Sequence, residues 1–237
     1  MLQDPDRFVV AIDGPSGSGK SSTSRGVAER LGFTYLDTGA MYRAATWLVL
    51  HSDADRNDRQ QVSKLVAEAE IGVGTDPAQP SFSVDGTDVT SAIRDPEISA
   101  AVSSVATIPE VRRQLIAQQQ KIIAAATPGI VAEGRDITTV VAPDAPVRIL
   151  LVADPAARVA RRKSELGGAV GDADVHDQVI RRDRDDSTVA QFEAAAPGVT
   201  VVDSTELSLE QVIDRICDLV SEAGHPDRSK DSGPPGP

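Results

Sequence analysis

Cysteine is almost missing from this chain. Cys217 is its only one in 237 residues, which excludes a disulfide framework and a cysteine-based zinc site. Aromatic residues make up only 3%, so a core must be filled by Ala, Val, Leu and Ile, and the 40% apolar content is enough to build one. No apolar run approaches the roughly 20 residues of a membrane span. The opening Met1-Leu2-Gln3-Asp4-Pro5-Asp6 is polar and acidic and does not read as a signal peptide, so a reduced, cytoplasmic location is expected. Positive charge is short as well: 24 Lys and Arg stand against 36 Asp and Glu, a net charge of −12. That balance argues against nonspecific binding to a nucleic-acid polymer. A protein this acidic must concentrate its arginines locally if it is to hold an anionic ligand.

Against that background one stretch stands out. Gly14-Pro15-Ser16-Gly17-Ser18-Gly19-Lys20-Ser21 fits G-x-x-x-x-G-K-[ST], the phosphate-binding P-loop. The apolar run Phe8-Val9-Val10-Ala11-Ile12 before it reads as a buried parallel strand. Ser22 to Leu31 after it reads as a helix with Val27, Ala28 and Leu31 on one face and Gly32 as its stop. The glycines let the backbone curl so that successive N–H groups face phosphate oxygens, and the helix N-terminus adds partial positive charge. Lys20 can reach the β- and γ-phosphates, and Ser21 can place its hydroxyl on Mg²⁺. The nucleotide-binding set is therefore Gly14, Pro15, Ser16, Gly17, Ser18, Gly19, Lys20, Ser21 and Ser22. A guanine-specific switch usually carries N-K-x-D. The only asparagine here is Asn57, followed by Asp58, so that motif is excluded.

The rest of the chain alternates. Thr34-Tyr35-Leu36 reads as a second strand, followed by a helix to about Leu50, and residues 59–70 form an amphipathic helix. Residues 71–92 change character: short strands at 71–73 and 81–84, the Asp85-Gly86 turn and Thr87-Asp88-Val89 predict a small antiparallel insert. Helices are expected from Pro96 to Ala106 and from Pro109 to about Ala126. A third core strand runs Gly129 to Ala132, and a fourth runs Val147 to Val152. Asp154-Pro155 then opens a basic helix with Arg158, Arg161, Arg162 and Lys163. Gly167-Gly168 and Gly171 join it to a charged helix at about 174–186, and the pair reads as a mobile flap. Val199 to Val202 is a fifth strand, and Ser208-Leu209-Glu210-Gln211 is a capping box opening the last helix. Residues 225–237 are rich in Pro, Gly and Ser and read as a disordered tail. This order predicts an α/β fold: a five-stranded parallel P-loop core with helices on both faces, an antiparallel insert and a helical lid. Ligands are expected at the carboxyl ends of the strands.

Arginines follow several of these strands: Arg43 the second, Arg135 the third, and Arg158, Arg161 and Arg162 the fourth. Phosphoryl transfer asks the protein for positioning and for neutralisation of charge on both substrates. Guanidinium groups supply both through bidentate contacts.

The succession G-P-S-G-S-G-K-S, L-D-T-G-A-M-Y-R, E-G-R-D-I-T-T-V-V-x-P-D-A and R-R-D-x-D-D-S resembles the bacterial cytidylate kinases over about residues 8–222. The resemblance implies transfer of the γ-phosphoryl group of MgATP to CMP or dCMP. It implies one kinase domain over 7–224, with a monophosphate-binding region at about 38–106 and a lid at about 155–188. Thr38, Arg43 and Arg135 match acceptor-binding positions, the two arginines on the phosphate. Ser103, Arg112 and Asp136 match the positions that recognise cytosine, whose N4 amino group Asp136 can accept from. Arg182 and Asp186 match the pair on the sugar, and Arg158, Arg161 and Arg162 match the lid helix that closes over the ATP phosphates. The expected partners are CMP or dCMP and ATP alone, with no nucleic-acid polymer and no membrane, and a monomer is expected.

The chain departs from the family pattern R-D-x-x-D-S-x-R-x-x-A-P-L at one place. Val189 replaces the second arginine, and A-P-L is absent. One acceptor-side cation is thereby missing, and Arg184 or Arg181 could substitute. Another small-molecule P-loop kinase, acting on AMP, shikimate or dephospho-coenzyme A, is the alternative reading. The Y-R and G-R-D pairing and the long insert favour the cytidylate kinases.

Overall fold

A computed structural model describes residues 7–165, 181, 183–188, 190, 192 and 194–225. The apolar runs become the strands of one parallel sheet: β1 (Phe8–Asp13), β2 (Thr34–Asp37), β6 (Gly129–Gly134), β7 (Val147–Val152) and β8 (Thr200–Asp203), in the order β2-β6-β1-β7-β8. Successive side chains point to opposite faces. Val10 and Ile12 therefore join one core cluster with Val131, Ile149 and Leu151, while Ala11, Ile130 and Ala132 join the other. The first cluster is covered by α1 (Lys20–Leu31) and the last helix, α7 (Leu209–Glu222), through Val27, Ala28, Ile213 and Ile216. The second is covered by α2 (Thr38–Leu50), α4 (Pro96–Ala106) and α5 (Pro109–Ala125), with α3 (Arg59–Glu68) packed outside them. Helices thus lie on both faces, as the alternation predicts.

The insert is antiparallel. β3 (Ile71–Val73), β4 (Phe82–Val84) and β5 (Thr87–Asp88) form a three-stranded sheet around the Asp85-Gly86 turn, where both residues have positive φ. The capping box is complete: Gln211 N–H donates to the Ser208 hydroxyl, and Ser208 N–H donates to the Gln211 side chain. α6 (Pro155–Glu165) starts at Pro155, as expected.

Three local features differ from the sequence reading. α1 begins at Lys20 rather than Ser22, so the first-turn amides of Lys20 to Ser22 belong to the helix start beside the P-loop. α2 begins at Thr38, capped by Asp37, whose carboxylate accepts from Ala40 N–H at 2.8 Å. A turn of π-helix over Ile137–Val141 follows β6 where no element was expected. Its cause is Asp13, buried at the end of β1. The Asp13 carboxylate accepts from Ile137 N–H and Thr138 N–H, both at 2.8 Å, and from the Thr138 hydroxyl at 2.6 Å. Residues 166–180, Arg182, Val189 and the tail beyond 225 lie outside the described residues, and with them most of the expected flap and the departure at Val189.

The P-loop turns tightly under β7. Gly14 has φ +157°, and a Cβ there would overlap the Leu151 carbonyl oxygen, which is backbone and cannot yield. Gly86 also has positive φ, but a Cβ there meets no described atom within 4 Å. Gly14→Ala is therefore expected to cost about 1–3 kcal/mol of overpacking on top of its backbone strain, lowering Tm by roughly 2–4 °C per kcal/mol. Gly86→Ala is expected to show the backbone strain alone. Thermal unfolding of the two variants side by side checks this; equal losses would remove the close approach of the P-loop to β7 from the account.

Candidate active site

Strand register brings the polar residues to one rim. Asp37 pairs with Glu133, Ile12 pairs with Glu133, and Asp13 pairs with Gly134, so the carboxyl ends of β2, β6 and β1 finish level. Two cavities open there. The first is lined by Ser16, Gly17, Gly19, Lys20, Ser21 and Ser22 from the P-loop and α1, by Asp37, Gly39 and Arg43, and by Glu133, Gly134 and Arg135. The second is lined by Thr38, Gly39, Tyr42, Val102, Ala106, Arg112, Gly134, Arg135, Asp136, Asp186 and Ala190. Gly39, Gly134 and Arg135 line both, so the cavities are neighbours and Arg135 is the cation between them.

In the first cavity the Lys20 ammonium donates to the Pro15 carbonyl at 2.9 Å, folded back over its own loop. Glu133 lies beneath it, 3% exposed, accepting from the Tyr35 hydroxyl at 2.6 Å. Burial and then the nearby Asp37 carboxylate push the Glu133 carboxyl up; the Lys20 charge and bonds from Ser21 and Tyr35 hold it down. Arg43 is tethered to Asp37 at 3.0 Å. Ser21, Glu133 and Asp37 are thus neighbouring oxygen donors beside the P-loop lysine. Gly14 and Pro15 contribute carbonyls rather than lining: Gly14 accepts from Arg135, and Pro15 from Lys20.

In the second cavity Arg112 and Asp136 form a direct ion pair. Burial raises the Asp136 carboxyl and Arg112 opposes the rise. The Ser103 hydroxyl donates to Asp186 at 3.3 Å, behind the lining. The Thr38 hydroxyl donates to the Glu133 carbonyl at 2.8 Å, fixing the rim where α2 meets β6.

Arginines converge from a third side. Arg158 donates to the Ser16 carbonyl at 3.0 Å and pairs with Asp183. Arg161 donates to the Ser18 carbonyl at 3.3 Å, to the Ser204 hydroxyl at 2.9 Å and to the Ser204 carbonyl at 2.6 Å. A more apolar recess adjoins it, lined by Ser22, Thr23, Leu207, Leu209 and Val212 among others. The side chain of Arg162, like Arg182, lies outside the described residues.

Sequence reasoning did not single out Asp13, Tyr35, Asp183, Ser204 or Phe192. Asp183 accepts from Ser16 N–H at 2.8 Å and pairs with Arg158 and, at 3.0 Å, with Arg135. Its sequence signal was its place in the R-R-D-x-D-D-S motif beside Arg182. Asp13 carried a clearer one, an acid closing an apolar strand immediately before the P-loop.

A P-loop at the rim of a five-stranded parallel sheet, with an arginine-lined second cavity beside it, defines an α/β P-loop kinase fold. The cytidylate kinase family model matches residues 10–222. The chain is 58% identical over 215 residues to a cytidylate kinase of Cutibacterium acnes, covering 90% of this chain and 96% of that one. It is 48% identical over 213 residues to a cytidylate kinase of Streptomyces griseus subsp. griseus, covering 90% and 92%. It is 50% identical over 218 residues to one of Streptomyces coelicolor, covering 90% and 93%. The chain belongs to the cytidylate kinase family.

Glu133 gives a pH test of this geometry in the ligand-free protein. Its folded-state pKa is raised, so its contribution to stability is present at low pH and is lost as pH rises through that pKa. Glu133→Gln removes the loss. Urea unfolding of both proteins at about pH 5 and about pH 7.5 should show the stability advantage of the parent over the variant shrinking as pH rises. An advantage that grows with pH would mean that Lys20, not burial, dominates this carboxylate.

Proposed function

We propose that this protein transfers the γ-phosphoryl group of MgATP to CMP or dCMP, releasing ADP and CDP or dCDP. The observation that carries the reading is the meeting of the two cavities at Arg135: one bears the P-loop, the other a buried Arg112–Asp136 pair. ATP lies in the first, its phosphates on the P-loop amides and Lys20. The monophosphate lies in the second, its phosphate directed back toward Arg43 and Arg135. Both phosphates then face the same guanidinium, which suits an in-line transfer that depends on position and charge rather than on covalent chemistry.

Each residue has a stated part. Lys20 leaves the Pro15 carbonyl for the β- and γ-phosphates. Arg158 and Arg161, with Arg162, neutralise charge on the ATP side; Arg158 and Arg161 already touch the P-loop carbonyls. Asp136 accepts from the cytosine amino group while Arg112 and Ser103 serve the ring acceptors. Asp186 and Arg182 hold the sugar. The hydroxyl of Ser21 with the carboxylates of Glu133 and Asp37 is a hard-oxygen donor set, and among the described residues no larger acidic, His or Cys cluster competes with it. This fits Mg²⁺, which uses one or two carboxylates and completes its shell with water and substrate phosphates. Bound there, the ion supplies further neutralisation of the β- and γ-phosphoryl oxygens.

The domain reading belongs to the same proposal: a kinase domain over 7–224, with the acceptor region at about 38–106, a lid at about 155–188 and a tail over 225–237. The antiparallel sheet of residues 71–88 supports an enlarged acceptor region. A cytoplasmic monomer remains the expected form. Among the described residues no helix is long and apolar enough to cross a membrane.

Steady-state ADP release with CMP, dCMP, UMP and AMP as acceptors tests the reading. CMP and dCMP should be turned over best. UMP should lose efficiency by about 10-fold or more, since its base carbonyl in place of the amino group sets an acceptor against the buried Asp136 carboxylate and loses a hydrogen bond worth about 1–3 kcal/mol. A preference for AMP, or turnover with none of the four, would overturn it.

A further inference from the structure

Arg135 is held on its edges and on its face. Its Nη1 donates to the Gly14 carbonyl, its Nη2 pairs with Asp183 at 3.0 Å, and its Nε donates to Asp186 at 3.1 Å. The face of the guanidinium lies over the ring of Phe192, with Cζ 4.5 Å from the ring centroid. The edge partners and the face partner differ in kind. Asp183 and Asp186 carry the same sign as a phosphate and use the same N–H groups that a phosphate would use. A ring beneath the plane attracts the cation through its quadrupole and occupies none of those N–H groups.

Phe192 is also well anchored. It is 1% exposed and packs with Leu150 of β7 and with Ala190, with Val152 and Val199 against them. Leu150 pairs in register with Asp13, the residue just before the P-loop, so the ring rests on the same level of the sheet as the loop itself. It lies in the one segment where the chain leaves its family's sequence pattern, after Val189 has taken the place of an arginine.

We propose that Phe192 is a positioning residue for phosphoryl transfer. Its ring fixes the plane of the Arg135 guanidinium, so the acceptor phosphate can take the guanidinium edges from Asp183 and Asp186 without the side chain losing its aim. The segment that lacks the family's second arginine thus supplies a ring beneath an arginine from another strand. This rests on the reading of Arg135 as the group that grips the acceptor phosphate.

The test replaces Phe192 in the full chain by fluorinated phenylalanines, with one and then three ring fluorines, which keep the shape but weaken the ring quadrupole, and also by Leu. KM for CMP should rise stepwise with fluorination, reaching about 3- to 30-fold for the weakest ring. KM for ATP should stay within about twofold, which is under 0.5 kcal/mol, and thermal stability of the fluorinated proteins should fall by only the few degrees that a weakened cation–π contact costs. Phe192→Leu should match or exceed the trifluorinated protein in KM for CMP. A flat fluorine series overturns the inference whether or not Phe192→Leu folds, because it would make the ring simple packing. Arg135→Lys separates the two readings. It should raise KM for CMP; if it does not, the assignment of Arg135 to the acceptor phosphate fails and the inference falls with it. If it does while the fluorine series is flat, only the role of Phe192 fails.

Discussion

The guanidinium of Arg135 stands where the two cavities meet, and much of the structure is arranged to hold it there. Its edges reach the P-loop carbonyl of Gly14 and the carboxylates of Asp183 and Asp186, and its face rests on Phe192. Two anionic nucleotides must be brought together by a protein of net charge −12, so local cations have to be positioned before either arrives. Arg135 and Arg158 are like charges, both largely buried beside the same carboxylate. Asp183 is that carboxylate, accepting from both while also fastening Ser16 N–H of the P-loop. The P-loop, Arg135 and the basic helix are thus joined through one carboxylate.

The buried acids have a cost that the fold meets with hydrogen bonds. Burial raises the carboxyls of Asp13, Glu133 and Asp136, and each has donors that pull the other way: Thr138 and Ile137 for Asp13, Ser21 and Tyr35 for Glu133, Arg112 for Asp136. Such groups are poor contributors to stability. Their value is positional. Asp13 pins the turn that follows Asp136, and Glu133 sits under Lys20 and beside Ser21.

What could be read from the sequence was local. Five apolar runs became five parallel strands; β1, β6 and β7 are buried on both faces, and such a run needs no partner information to be recognised, while β8 is largely exposed. The P-loop, the Asp85-Gly86 turn and the Ser208–Gln211 capping box were legible because their chemistry lies within a few consecutive residues. Arg135 and Asp136 could be seen as charges directly after a strand, whereas Arg43 lies in the second turn of α2. What could not be read depends on contacts distant in the chain. Asp183 meets Ser16 across 167 positions and Ser204 meets Ser18 across 186. Tyr35 as the donor to Glu133, and Phe192 as the platform under Arg135, likewise needed the fold before they had partners. The π-helical turn after Asp136 was invisible for the same reason: its determinant, Asp13, lies on another strand.

The central claim is that the two cavities are halves of one site joined at Arg135. It is tested most directly by a single ligand that spans them, adenosine and cytidine linked 5′ to 5′ through five phosphates. Linking two binding groups that fit simultaneously gains by effective concentration, so this compound should bind at least about 100-fold more tightly than CMP or ATP alone and compete with both. Calorimetric titration measures the affinity, and inhibition kinetics against each substrate measure the competition. Affinity no better than that of ATP, with competition against ATP only, would mean that the cavities do not form one continuous site and would contradict the account.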